Sequence, residues 1–168
     1  QDYGTDPVRF FLLSEIPFNR DGDYSPKRFK EKYNADLANE LGNLLTRVSN
    51  MAERFFDGKL PKIEIENTYD LSLIGTLIED FKFDVAIQEI WKIIKKANQY
   101  IDQEKPWELF ETRNVDKLAK ILGKLVVLIQ DVSLALEPFM PESAEKIRKH
   151  FSKEALRKMP PLFPRILV

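Results

Sequence analysis

Apolar residues recur every third or fourth position through most of this chain, and almost nowhere alternate with polar ones. The longest such stripe is Phe29, Tyr33, Leu37, Leu41, Leu44, Leu45, Val48, Met51, Ala52 and Phe55. That spacing predicts one long amphipathic helix, opened by Ser25-Pro26 and stopped by Asp57-Gly58. A second stripe, Ile87, Ile90, Trp91, Ile94, Ala97 and Ile101, predicts a helix that Asp84 caps and Pro106 breaks. A third, Leu118, Ile121, Leu122, Leu125, Leu128, Ile129, Val132 and Leu136, follows Asn114 as its cap.

Shorter elements fall between these. Asp6 as N-cap and Pro7 at the first helical position predict a helix running to Ile16, where Pro17 ends it. Phe18 to Tyr24 reads as a turn-rich loop and Lys59 to Thr68 as a connector whose IEIE segment is extended at best. Further helices are predicted over Tyr69–Glu79 and Glu142–Phe151, with a helical turn over Trp107–Glu111 and a proline-stiffened tail (PPLFPRILV) lying extended on the rest. Three long amphipathic helices with short links make an all-α, antiparallel helical bundle. Residues 1–24 form a lead-in and residues 25–168 the bundle proper.

The length of 168 residues suits one domain with a core that needs no cross-links. Cysteine is absent, which removes disulfides, thiol nucleophiles and thiolate metal sites, and the one histidine, His150, has no second histidine to share a metal with. Uncharged apolar stretches fall far short of the ~20 residues that span a bilayer, so no membrane partner is expected and a cytoplasmic location is. With 26 basic and 27 acidic residues, the net charge is −1. Bulk electrostatics therefore cannot hold a nucleic acid; a local patch with specific contacts would have to. The chain begins at Gln1 in mid-phrase, as a piece of a longer protein would.

Enzyme chemistry is mostly missing. The glycines are scattered, so no phosphate-cradling loop forms, and no Ser–His–Asp set can be assembled around His150, which reads as a solvated histidine. Acidic clusters such as Glu31, Asp36 and Glu40 read as solvated helix faces. No catalytic and no metal-ligating residue is assigned. Two features are costly for a scaffold. The run Asn39-Glu40-Leu41-Gly42-Asn43-Leu44-Leu45-Thr46-Arg47 places a glycine and two asparagines inside a helix, costing about 1 kcal/mol for the glycine and a few tenths for each asparagine. Its Asn43 and Arg47, four residues apart, share one patch, and an amide beside a guanidinium suits base edges. The structural alternative is a close helix–helix approach at Gly42. Trp107, directly after Pro106, is the other: an exposed rigid indole is a stacking platform for a base, unless it folds back to plug the end of the bundle. The Asn19–Asp23 loop reads as a turn or as a joint to a neighbouring domain, and lacks the glutamate spacing of a calcium loop.

The order of motifs resembles the C-terminal half of methionyl-tRNA synthetase, a class I aminoacyl-tRNA ligase. The matching segments are YGTDPVRFFLLSEIPF with the DGDYS turn, YNADLANELGNLLTR, ANQYIDQEKPW, LEPFMP and PLFPRI. The resemblance covers essentially the whole chain. It implies a bundle that reads the CAU anticodon of methionine tRNAs, with Trp107 stacking on an anticodon base and Asn43 and Arg47 bonding base edges. It implies as partners the anticodon stem-loop and the catalytic domain of the same enzyme, to which residues 1–24 would join, and no DNA. The family's ATP-handling signatures and its zinc-knuckle region do not occur in these residues. ATP, and possibly zinc, would belong to a catalytic half absent here; no cofactor is expected in this piece, and by itself it would be inactive. Two other readings stay open: the bundle of a sister class I synthetase for cysteine, valine, leucine or isoleucine, and a helical interaction module with no RNA role, which would bury Trp107.

Overall fold

The computed structural model describes residues 3–16, 24–61 and 70–167. The Phe18–Asp23 loop, the IEIE segment and the start of the helix expected from Tyr69 lie outside the described residues. The eight α-helices among the described residues are α1 (Thr5–Glu15), α2 (Pro26–Lys32), α3 (Asn43–Phe56), α4 (Ser72–Glu79), α5 (Phe83–Glu104), α6 (Pro106–Glu111), α7 (Val115–Leu136) and α8 (Pro141–Phe151). The expected all-α bundle is there.

The apolar stripes make its core. Nine of the ten stripe residues of the long second helix are buried, Phe55 being partly so, as are all of those named on α5 and α7. Two of the expected caps form: Ser25 Oγ accepts from Arg28 N–H at 3.5 Å and Asn114 Oδ1 from Lys117 N–H at 3.4 Å. Two do not. Asp84 lies inside the first turn of α5, with Lys82 at the cap position. Asp6 lies inside α1, which begins at Thr5 after Gly4. The Asp6 carboxylate is buried and accepts from Ser143 N–H at 2.6 Å, so it caps α8 instead of its own helix. Arg9 adds bonds from Nε and Nη2 to the carbonyls of Phe139 and Pro138, at 3.1 and 2.9 Å. Together they clamp α1 to the corner before α8.

The long second helix is not uniform. Between α2 and α3 the backbone widens into a π-helix over Tyr33–Gly42. There the backbone N–H groups bond carbonyls five residues back instead of four. Asn34 and Asn39 of this segment both bond the C-terminal tail. Asn34 donates to the Ile166 carbonyl at 2.7 Å and accepts from Ile166 N–H at 3.0 Å, while Asn39 Oδ1 accepts from Arg165 at 2.6 Å. Gly42 is buried over the Leu37 carbonyl, where an added Cβ would lie 3.0 Å from that oxygen and 4.0 Å from the Phe163 ring. The closeness at Gly42 is thus to its own wide turn and to the tail.

Direction follows from the cross-links. α5 and α7 run antiparallel, with Glu104 pairing Lys117 and Tyr100 facing Lys124. So do α7 and α8, where Gln130 reaches the Phe151 carbonyl and Glu137 reaches Arg148. The π-helix with α3, and α5 with α6, instead run side by side in one direction. Asn98 bonds the Glu40 carbonyl, Asp102 pairs Arg47 and Phe110 stacks on Phe55. The parallel course places the start of α5 at the same end of the bundle as the π-helix.

Candidate nucleic-acid interface

Asn43 is the first residue of α3 and is exposed; Arg47 follows one turn later and is partly buried. They share a patch, as their spacing requires. Arg47 is not a free cation: its Nη2 lies 2.5 Å from Asp102 Oδ1 on α5. The Asp102 side chain is 64% exposed, so the pair sits at the surface, where it orients the guanidinium and adds little stability. One turn earlier on α5, Asn98 Nδ2 donates to the Glu40 carbonyl at 3.1 Å. The motifs YNADLANELGNLLTR and ANQYIDQEKPW therefore touch each other twice, along one seam between parallel helices.

Trp107 continues that seam. Lys105 adopts a left-handed backbone with φ 46°, and buried Pro106 starts α6, so the chain bends sharply between the two helices. The indole emerges in the first turn of α6 and is 40% exposed, whereas Trp91, stacked on Phe10 in the core, is 6% exposed. Trp107 has no hydrogen-bond or ring partner among the described residues. It stands five residues beyond the Asp102 that holds Arg47, on the far side of that bend. Three residues further on, Phe110 stacks on Phe55 with centroids 4.5 Å apart and ties α6 to the end of α3. Asn43 and Arg47 thus share a helix face, and α6, which carries Trp107, is tied to that helix through Phe110.

A groove of about 690 Å³ opens on the other flank of α3. Asn39, Asn43 and Thr46 line one wall, and Phe163, Pro164 and Arg165 the other. The tail forming that wall has no regular secondary structure, bends at Leu162-Phe163, and is anchored along its length. Leu156 N–H bonds the Gly58 carbonyl at 2.9 Å, Met159 N–H bonds Ser49 Oγ at 2.9 Å, and Phe163 is buried. His150 also serves this packing: its Nε2 lies 2.7 Å from the Arg157 carbonyl, so it is engaged rather than freely solvated. No local pattern signals that Asp102 partners Arg47 or that the tail walls a groove beside Asn43, because both join segments far apart in the chain. Among the described residues no group of three His, Asp or Glu side chains could hold a metal ion, and no helix is long and apolar enough to cross a membrane.

Comparison with known proteins gives this geometry a setting. Residues 63–161 match the family model described as the anticodon binding domain of methionyl tRNA ligase, and residues 1–49 match that of class I (M) tRNA synthetases. Methionine–tRNA ligase of Clostridium acetobutylicum is 42% identical over 91% of this chain, which covers 26% of that protein. The enzyme of Caldanaerobacter subterraneus is 37% identical over 86% of this chain, covering 24% of its own length. The chain thus spans about a quarter of the curated relatives it matches. Among solved structures, apo Mycobacterium tuberculosis methionyl-tRNA synthetase superposes on 99% of this chain with a TM-score of 0.82 at 29% identity, over 40% of its own length. The same enzyme bound by methionyl-adenylate superposes on 96% with a TM-score of 0.83 at 28% identity, over 38% of its length.

Proposed function

The chain belongs to the methionyl-tRNA synthetase family, in its anticodon-binding part, and from that premise we propose that this bundle reads the CAU anticodon of methionine tRNAs. The observation that carries the reading is the seam from Asn43 through Arg47 to Trp107. An amide, an oriented guanidinium and an unpartnered indole line the junction of two motifs. In this reading Trp107 stacks on an anticodon base, while Asn43 and Arg47 hydrogen-bond base edges. Asp102 holds the guanidinium in place before the RNA arrives.

The rest of the parent protein supplies the chemistry. ATP, methionine and any zinc belong to a catalytic half outside these residues, and the parent works in the cytoplasm on tRNA, not DNA. Val8 and Leu12, one turn apart on α1 and each 40% exposed, form the apolar face that lies against that half. Residues 1–24 carry the joint between the two.

A binding titration with CAU and altered-anticodon stem-loops tests the reading. Trp107→Ala is expected to lose about 1–3 kcal/mol of affinity, roughly 5- to 150-fold, and more than any single lysine substitution does. Asn43→Ala and Arg47→Ala are expected to relax the preference for CAU. Equal affinity of the unmutated chain for both loops would remove the anticodon assignment, as would an unchanged affinity in folded Trp107→Ala.

A further inference from the structure

On the opposite flank of α5 from Arg47 lies a second groove, of about 310 Å³, between α5 and α7. Its floor is apolar, formed by Ala97, Leu125 and Leu128, and Lys96 and Lys124 stand at its edges. Tyr100 lies between them, with the Lys124 ammonium 5.9 Å from the centre of its ring. Partial burial and the neighbouring Glu104 carboxylate push the Tyr100 phenol above its ordinary value, so it stays a neutral donor. Lys96 and Lys124 have no acidic partner among the described residues. The two carboxylates on this stretch of α5 are both engaged elsewhere, Asp102 with Arg47 and Glu104 with Lys117 at 2.8 Å. In a chain of net charge −1, this is a local excess of positive charge over an apolar floor.

We infer that the α5–α7 groove binds the phosphodiester backbone of the RNA whose bases meet Trp107, Lys96 and Lys124 each neutralising one phosphate. The inference rests on the RNA-binding reading above and adds to it a contact that carries no sequence information. Charge complementarity selects the occupant: two lysines with no acidic partner among the described residues repel a basic partner and attract a polyanion. Position selects the polyanion. Asp102, which orients Arg47, and the groove residues Tyr100 and Gln103 stand at the same level of α5 on its two flanks, so the width of that helix separates the groove from the base-reading seam. A strand whose bases lie on that seam carries its phosphates past this helix.

The test compares neighbouring lysines. Lys95 lies on the same helix but lines a different groove, beside Glu15 and Asp36. Lys95→Gln and Lys96→Gln change the net charge identically, so a difference between them reports place rather than bulk charge. The 168-residue chain is titrated with CAU and altered-anticodon stem-loops over a series of salt concentrations. Lys96→Gln and Lys124→Gln are each expected to weaken both RNAs by roughly fivefold at about 0.1 M salt, and to make the salt slope shallower by about 0.7–0.9. The double variant should lose about twice the slope and keep the CAU preference, while Lys95→Gln stays near the unmutated chain. A double variant indistinguishable from Lys95→Gln would overturn the inference, and so would a loss confined to the CAU loop. If CAU preference persists while the slope does not respond, the groove fails and the anticodon reading stands. If the slope responds in a chain with no CAU preference, the groove stands and the anticodon reading fails. A chain that binds neither loop sinks both.

Discussion

Ser49 does more for the fold than its size suggests. It is fully buried on α3, its hydroxyl donating to the Leu45 carbonyl at 2.7 Å and accepting from Met159 N–H at 2.9 Å. The second bond ties the tail to the helix that carries Asn43 and Arg47. Removing the hydroxyl leaves a buried backbone N–H without a partner, which costs about 1–3 kcal/mol. Ser49→Ala is therefore expected to destabilise the chain by that amount in denaturant unfolding. Ser152→Ala, which removes only an exposed 3.4 Å bond to the Lys149 carbonyl, should leave the midpoint nearly unchanged. A similar asymmetry separates the two tryptophans. Trp91 is held in the core by Phe10, and Trp107 keeps its ring available because Pro106 ends the regular stripe of α5.

At the scale of an element, the π-helix before α3 decides what faces where. It turns Asn34 and Asn39 toward the tail, and leaves Asn43, the next asparagine of the motif, exposed at the groove. Gly42 permits this, since any side chain there meets the Leu37 carbonyl. Its backbone is ordinary helix, so alanine would gain about 1 kcal/mol of helix propensity if space allowed. Gly75 on α4 makes the comparison: no described atom lies within 4 Å of its added Cβ. Gly75→Ala is expected to stabilise the chain by about 1 kcal/mol. Gly42→Ala is expected to destabilise it, overpacking of a closed site costing about 1–3 kcal/mol. A thermal melt of the two variants checks the opposite signs, and equal shifts would show that the wide turn yields freely.

For the whole molecule, the function proposed above separates recognition from chemistry. The seam and both grooves carry polar side chains over a packed core, and the chain spans about a quarter of the length of the ligases it matches. The chain is accordingly expected to support no methionine-dependent ATP–pyrophosphate exchange when prepared free of host synthetase. Exchange above background would place an active site in these residues and undo the division proposed here. The clamp of Asp6 and Arg9 onto the corner before α8 bears on the parent enzyme too. It holds the lead-in helix to the bundle through buried and partly buried bonds, so the exposed Val8 and Leu12 face has a defined orientation.

The apolar periodicity was enough to find the long helices and nearly all of their core residues, because a helix buries one stripe and that stripe is written locally. Asn43, Arg47 and Trp107 stood out for the same local reason, each breaking the composition that a plain scaffold helix would have. Pro106 already implied the bend before Trp107. Other features depended on residues distant in the chain. Asp6 looked like the cap of its own helix, yet its carboxylate reaches Ser143, 137 positions away. The π-helix left no periodic mark distinct from an α-helix over ten residues, and its two asparagines bond a tail 126 to 132 residues away. The parallel course of α3 and α5 and the pairing of Arg47 with Asp102 appear only when the chain is folded. A side chain's partner is set by what packing brings within 3 Å of it, and local sequence does not contain that distance.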